Sequence, residues 1–410
     1  MRVANAAPGF AELSFRREQE GSRVANLGFK ATQDFTYDAD TYDFFVYDRV
    51  LDTNIPQDVW TFAPTLEGDN SYVFVLTEVA TQIQPVVIPI PEDTGTATQI
   101  VAFHAGESLP AIDLYLEAPG VGIAGATPRG SFNAMEQITP RSVPTGDYEL
   151  TLTAAGDPTN VLLTTATIGL PASSTSIFVV VPEGGQGTEE LSVLLLQGTT
   201  TVLYDRNATN EMRVVNGATD RVPRDVAVDS QFSPPLFSAV PFGEPTPHAQ
   251  MPLALTAQIN VTPVGNPGVL ELDQPYIGAQ AQRTTLLFTG PAGTLVGATG
   301  LDDGRRIHGE AKLRFLNAVS QFAGLEFVLT LPDGDPSFLL PYAALGTPGI
   351  SAYAALPPRD FDLYVRQFGT TTMVSGPTRI TLADGGIYGV LAVDGPDTAT
   401  VSLQFFDDFP

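Results

Sequence analysis

Ile100-Val101-Ala102-Phe103-His104-Ala105-Gly106 is one of four copies of a short pattern. The others are Met1-Arg2-Val3-Ala4-Asn5-Ala6-Ala7, Met212-Arg213-Val214-Val215-Asn216-Gly217-Ala218 and Leu313-Arg314-Phe315-Leu316-Asn317-Ala318-Val319. Their anchors, Asn5, His104, Asn216 and Asn317, lie roughly 100 residues apart, the spacing of an array with one small domain per repeat. Outward from each anchor the copies keep register. The eighth, tenth and twelfth positions after it are Leu13/Phe15/Arg17, Ile112/Leu114/Leu116, Arg224/Val226/Val228 and Leu325/Phe327/Leu329. The ninth is polar each time: Ser14, Asp113, Asp225 and Glu326. Such period-two alternation marks half-buried strands. Before the anchor, Met1/Val3, Ile100/Ala102, Met212/Val214 and Leu313/Phe315 point one way, while Arg2, Val101, Arg213 and Arg314 point the other. The unit is strand, tight turn, strand, with the Asn or His side chain bonding the turn backbone.

Later strands repeat as well. Residues 42–47, 148–152 and 361–365 alternate, and residues 72–76, 177–181, 191–196, 284–288 and 387–393 are nearly continuous apolar runs. The last strand is expected over residues 398–406, linkers over 92–96 and 205–210, and an irregular loop or edge over the Pro-rich 233–252. About seven short strands per repeat, with turn signals between them, predict an all-β chain of four tandem immunoglobulin-like β-sandwich domains over 1–97, 98–210, 211–310 and 311–410. The Gly146-Asp147-Tyr148 entry, with Tyr42 as its counterpart, fits the aromatic corner of such folds; Phe361 matches less well and Ala257 lacks the ring. Each repeat is expected to close its own apolar interior, end to end with its neighbours.

Residues 101–116 resemble the opening of the bacterial domain of unknown function 4397 (DUF4397), a strand, His-Ala or Asn-Ala, a Ser/Pro turn, then Pro-Ala-Val-Asp-Val-Tyr-Val. Residues 144–150 are similar to its second hallmark, Pro-x-Gly-x-Tyr-x-Leu. The stretches 216–228 and 317–329 keep the spacing, whereas Ser14 replaces the acidic ninth residue in the first copy. The resemblance implies an exported, often lipid-anchored protein with domains in tandem and no assigned enzymatic role.

The net charge of −26, from 46 acidic residues against 20 Lys and Arg, argues against nucleic acid or an anionic membrane surface as partner. Cysteine is absent, removing disulfide and thiolate chemistry. The apolar runs are of strand length, so no membrane span is expected, and residue 2 already sits in a strand, so no signal peptide is expected within the chain.

Candidate chemistry is sparse. Of three histidines, His104 is an anchor, His248 follows the Pro-rich loop and His308 lies before the fourth repeat, a scatter that predicts no shared metal centre. Asp302-Asp303, Asp333-Gly334-Asp335 and Asp407-Asp408 read as solvated turn or linker acids; calcium between domains is the alternative. Asn207-Ala208-Thr209 and Asn260-Val261-Thr262 match a glycosylation sequon by chance. Gly120-Val121-Gly122 and Gly184-Gly185-Gln186-Gly187 join strands and so make no phosphate cradle. No catalytic, cofactor-binding or metal residue is assigned, and no enzyme activity. The expected function is that of a secreted or cell-surface structural protein, a rod whose copies contact head to tail, repeat one against repeat four, in a filament or coat. The alternative is an adhesin or carbohydrate-binding module displaying Trp60, Phe62, Tyr342 and Tyr353 to a glycan or cell-surface partner.

Overall fold

A computed structural model describes residues 1–17, 25–48, 59–68, 70–90, 95–252, 256–396 and 400–409. It is all-β, built of several separate sheets, with no helix among the described residues. The chain divides into two compact units: unit one is Met1–Gly184 with Glu189–Ala208, and unit two is Gly185–Thr188 with Thr209–Pro410. Each unit contains two copies of the anchor pattern.

One topology recurs with every anchor. The opening strand pairs in parallel with a late strand: Arg2–Asn5 with Ser71–Val79, Thr98–His104 with Ser174–Pro182, Glu211–Ala218 with Arg283–Gly290, and Ala311–Asn317 with Ile387–Asp394. That late strand pairs antiparallel with its successor, which is Gln82–Ile90, Leu191–Leu196, Val296–Asp302 or Val401–Asp407. After the anchor the chain changes sheets. Glu12–Arg17, Ile112–Glu117, Arg224–Val228 and Gly324–Thr330 each pair antiparallel with Phe44–Asp48, Gly146–Ala154, Thr256–Pro263 and Asp360–Gln367, respectively.

The anchors earn their place at this change of sheet. All four are buried. In each, the side chain accepts a hydrogen bond from the N–H two residues on: Ala7 to Asn5 Oδ1 (2.9 Å), Gly106 to His104 Nδ1 (3.2 Å), Ala218 to Asn216 Oδ1 (3.0 Å) and Val319 to Asn317 Oδ1 (3.0 Å). Its other end donates to a carbonyl on a neighbouring segment, as Asn5 does to Leu27 and His104 to Pro110. A buried turn N–H is thereby satisfied at the point where the sheet ladder can no longer reach it.

Between the two sheets of each copy lies an apolar cluster. Val3, Phe15, Phe44 and Phe74 are in the first, Leu114, Leu152 and Phe178 in the second, Val214, Val226 and Phe288 in the third, and Phe315, Phe327 and Val390 in the fourth. The strands of the opening sheet are buried on both faces, however. In unit one, Ala4, Val73 and Val75 from the first copy pack with Phe103, Val179 and Leu194 from the second. In unit two, Val215 and Leu287 pack with Leu316, Leu391 and Val393. The end-to-end arrangement expected from the sequence is therefore corrected within each unit: each copy has its own interior, and two copies join through a third cluster across the outer faces of their opening sheets. The continuous apolar runs 177–181 and 191–196 are what a strand buried on both faces requires.

Tyr42 and Tyr148 each donate a hydroxyl proton to the carbonyl four residues upstream, Asp38 (2.9 Å) and Pro144 (2.8 Å). Phe361 lies in the fourth apolar cluster and Ala257 at the margin of the third. The Pro-rich segment contributes the short strands Phe237–Val240 and Ala249–Gln250 at sheet margins. Residues 92–94 of the first expected linker and 398–399 of the expected last strand lie outside the described residues, as does Pro410.

Candidate functional site

The densest gathering of chemistry lies in unit two, and the repeat builds it. Arg213 and Arg314 stand three residues before their anchors, on the face turned away from each copy's own core. Arg213 is paired to Thr285 and through it to Gly300, and Asp302 follows two residues later. In the next copy Arg314 is paired to Gly389 and through it to Phe406, and Asp408 follows two residues later. His248 and Tyr353 each precede the short strand residue that pairs one position before the arginine, Ala249 with Met212 and Ala354 with Leu313. Six side chains from three equivalent positions thus meet at the shared face.

Arg213 Nη2 donates to Asp408 Oδ1 at 2.5 Å and its Nη1 to the Asp408 carbonyl at 2.8 Å, while its Nε lies 3.2 Å from Asp302 Oδ2. Arg314 Nη1 donates to Asp302 Oδ1 at 2.6 Å; its Nε lies 2.7 Å from Asp408 Oδ2, without a hydrogen-bonding angle. His248 Nε2 donates to Asp302 Oδ2 at 2.7 Å, and the Tyr353 hydroxyl donates to Asp408 Oδ2. Thr285 Oγ1 donates to Asp302 and accepts from both arginines. Burial raises the Asp302 carboxyl, but the His248 hydrogen bond and the charges of Arg314 and Arg213 outweigh it and hold the group well below the usual carboxylate range. Burial weakens the Arg314 cation, and Asp302 and Asp408 more than restore it. Burial, followed by the Asp408 charge, pushes the Tyr353 hydroxyl up despite Arg314. Two guanidinium and two carboxylate charges cancel, and the carboxylate oxygens are occupied.

Beside this network, Asp303 pairs with Arg305 at 2.9 Å and with Lys312 at 3.3 Å, and Lys312 Nζ also donates to the Asp303 carbonyl. Burial lowers the Lys312 amine to about 8 in spite of the Asp303 charge. Asp302, Asp303 and Asp408 are consequently not the solvated turn or linker acids the sequence suggests. Folding places the three carboxylates against cations, and a calcium ion at Asp302 or Asp408 would have to displace an arginine. Asp333, Asp335 and Asp407 are surface acids, as expected. Among the described residues no group of three or more His, Asp or Glu side chains is arranged to hold a metal.

Unit one fills its shared face differently. Val101 stands where unit two has Arg314, and register places Ile90 and Gly198 where it has Asp302 and Asp408. Arg2 remains, bonded to Asp34 (2.7 Å) and to the carbonyls of Gln197 and Gly198 (2.6 and 3.3 Å). Beside it opens a cleft of about 240 Å³ lined by Phe35, Tyr72, Val73, Ile90, Ile177 and Leu196. Near the anchor end of the same face, Lys30 Nζ bonds both Glu183 oxygens (2.6 and 2.7 Å) and the Tyr204 hydroxyl (3.2 Å) in a buried ion pair. Burial, aided by the Glu183 charge, pushes Tyr204 up to about 12. Both lysines of the chain are therefore spent inside it.

The remaining sequence candidates do not converge. His104 is a turn residue whose pKa burial lowers, and His308 is half-buried in the segment before Ala311–Asn317. Asn260 is buried and bonded to Asp273, closing that sequon, whereas Asn207 is exposed. Trp60 and Phe62 pack on the margin of the first apolar cluster, and the Tyr353 ring is committed to the network. Only Tyr342 of the four proposed aromatics is exposed. The recurring Arg before the anchor was the visible signal for the network; the role of Glu183 had none. No helix of the described residues is long and apolar enough to cross a membrane. No protein-family model matches the chain, and no curated protein is significantly similar to it.

Proposed function

We propose that the chain is a non-catalytic structural protein of the cell exterior: four tandem immunoglobulin-like sandwiches, of the kind the resemblance to DUF4397 implies, whose copies associate head to tail into a filament or coat. The observation that carries this reading is the fourfold return of one sheet topology around one buried hydrogen-bonded anchor. The parallel pairing of the opening strand with a late strand, the change of sheet after it, and the Tyr42 and Tyr148 hydroxyls bonded upstream all fit an immunoglobulin-like sandwich and its tyrosine corner. The ionisable clusters support a structural role too, since their charges are matched inside shared faces rather than presented to a substrate. Negative-stain imaging with light scattering across a wide concentration range tests the proposal. Elongated assemblies growing with concentration are expected; isolated particles at every concentration would sink it.

A further inference from the structure

Of the 20 Lys and Arg residues, only Lys30 and Lys312 are lysines, and both are buried. Arginine serves wherever a cation alone is needed, and a primary amine is kept at two interior points. An amine differs from a guanidinium in that it can shed its proton and act as a nucleophile. Lys30 also holds a backbone φ of 65°, in the left-handed region that favours glycine. Residues other than glycine held there cluster at functional positions. The head group so placed lies in the join of unit one. Its Nζ bonds Oε1 and Oε2 of Glu183 at 2.6 and 2.7 Å, both side chains are buried, and the Tyr204 hydroxyl accepts from Nζ at 3.2 Å. The rings of Phe29 and Tyr204 flank the amine, with centroids 5.1 and 5.0 Å away. Lys30 belongs to the first copy and Glu183 to the second.

We propose that Lys30 Nζ and Glu183 Cδ condense to an amide, a self-made cross-link that ties the two copies of unit one together. The ion pair is the reactant, and the step needs no co-reactant. Within the pair a proton passes from the ammonium to the carboxylate, giving a neutral amine and a carboxylic acid. The nitrogen lone pair then forms the C–N bond at Cδ. Tyr204, in reach of Nζ, relays a nitrogen proton to the departing hydroxyl, the Cδ–O bond breaks, and one water leaves. Burial favours the product, because a neutral amide replaces two charges held out of water and the released water returns to solvent. A chain without cysteine has no disulfide to do this work. Lys312 marks the contrast. Its Nζ meets one oxygen of Asp303 at 3.3 Å, and Arg305 donates to both oxygens of that carboxylate. A carboxylate held in an arginine fork stays ionised and offers no acid to attack, so Lys312 keeps its amine. The cross-link is a property of one chain and stands or falls independently of assembly.

Mass spectrometry of the denatured full chain tests this. The parent should be lighter than its sequence by one water. Trypsin should release a branched peptide that joins residues 24–49, uncut at Lys30, to residues 142–206. An amine reagent applied in denaturant should label Lys312 and leave Lys30 unlabelled. Lys30→Arg keeps the charge but not the nucleophile and should regain the full mass. The parent itself carries the readout, so the test does not depend on that variant folding. A parent of full sequence mass, cut by trypsin after Lys30, overturns the cross-link and leaves a buried ion pair. A loss of water that persists in Lys30→Arg, or that maps to other peptides, overturns it too.

Discussion

Units one and two join their two copies through the same strands in the same register, yet they fill the join with opposite chemistry. In unit one the positions at the join are Val101, Ile90 and Gly198, and the contact is apolar with a cleft beside it. In unit two the equivalent positions are Arg314, Asp302 and Asp408, and four charges interlock there. The Arg2 bond to the Gly198 carbonyl and the Arg213 bond to the Asp408 carbonyl are one contact made twice, so the backbone geometry tolerates both fillings. An apolar join loses stability in proportion to the side chain removed. A buried ionic join works only when complete, because each charge left alone retains its full desolvation cost.

Breaking one charge should therefore have the largest effect. Arg314→Met leaves the two buried carboxylates Asp302 and Asp408 with one guanidinium, that of Arg213, and is expected to cost about 3–5 kcal/mol in denaturant unfolding. Converting the whole site to the unit-one filling should cost nothing or stabilise by about 1–4 kcal/mol. That conversion is Thr285→Val, Asp302→Ile, Arg314→Val, Asp408→Gly and Tyr353→Phe, with His248→Asp to pair Arg213 as Asp34 pairs Arg2. If the full conversion is as damaging as the single change, the two joins are not equivalent.

In unit one, Leu194→Ala at the shared cluster should cost about 2–3 kcal/mol, toward the low end for buried leucines because the cleft lets neighbours relax. A loss as large as that of Arg314→Met would show that the apolar join is packed as tightly as the ionic one is wired.

Much of this fold could be read before the structure. The anchors, the alternation after them and the apolar late strands are local patterns, and local patterns fix strands and turns. Even the outward direction of Arg213 and Arg314 follows from period two. Their destination did not, because an alternating strand shows which residues share a face but not what covers it. Asp302 and Asp408 looked like turn acids for the same reason: each sits at a strand end, where solvent is the ordinary neighbour, and only the packing of a second copy buries them. Ile90 and Gly198 became interpretable once register aligned them with those acids.

The network extends to a group that titrates in an accessible range. Lys312 is about 8 in the folded protein and near 10.4 when unfolded. Between those values the unfolded chain binds more protons than the native one, so stability should rise with pH through that window. From pH 7.5 to 9.5 the parent should gain about 1–2 kcal/mol relative to Lys312→Met, seen as converging thermal midpoints. The unit-one lysine, Lys30, holds both oxygens of Glu183, whereas Lys312 reaches one oxygen of Asp303 at 3.3 Å. Parallel curves for parent and Lys312→Met would mean that the second lysine is as well paired as the first.

The smallest effect tests whether the four anchors are interchangeable. His104 accepts from Gly106 and donates to Pro110 with the two nitrogens of one neutral ring, and Asn5, Asn216 and Asn317 do the same work with an amide. In His104→Asn the Oδ1 can keep the Gly106 bond, while the shorter side chain gives up the Pro110 contact and the edge of Phe132. The expected cost at pH 8 is below about 1 kcal/mol, against about 1–3 kcal/mol for His104→Ala, which leaves the Gly106 N–H unsatisfied. Burial holds His104 below its ordinary pKa, so the native protein takes up its proton later than the unfolded chain and loses stability as pH falls below about 6.5. His104→Asn removes that slope. The two unfolding curves should draw together between pH 8 and 5, and curves that stay parallel would show that the ring takes up its proton as readily in the fold as in the unfolded chain.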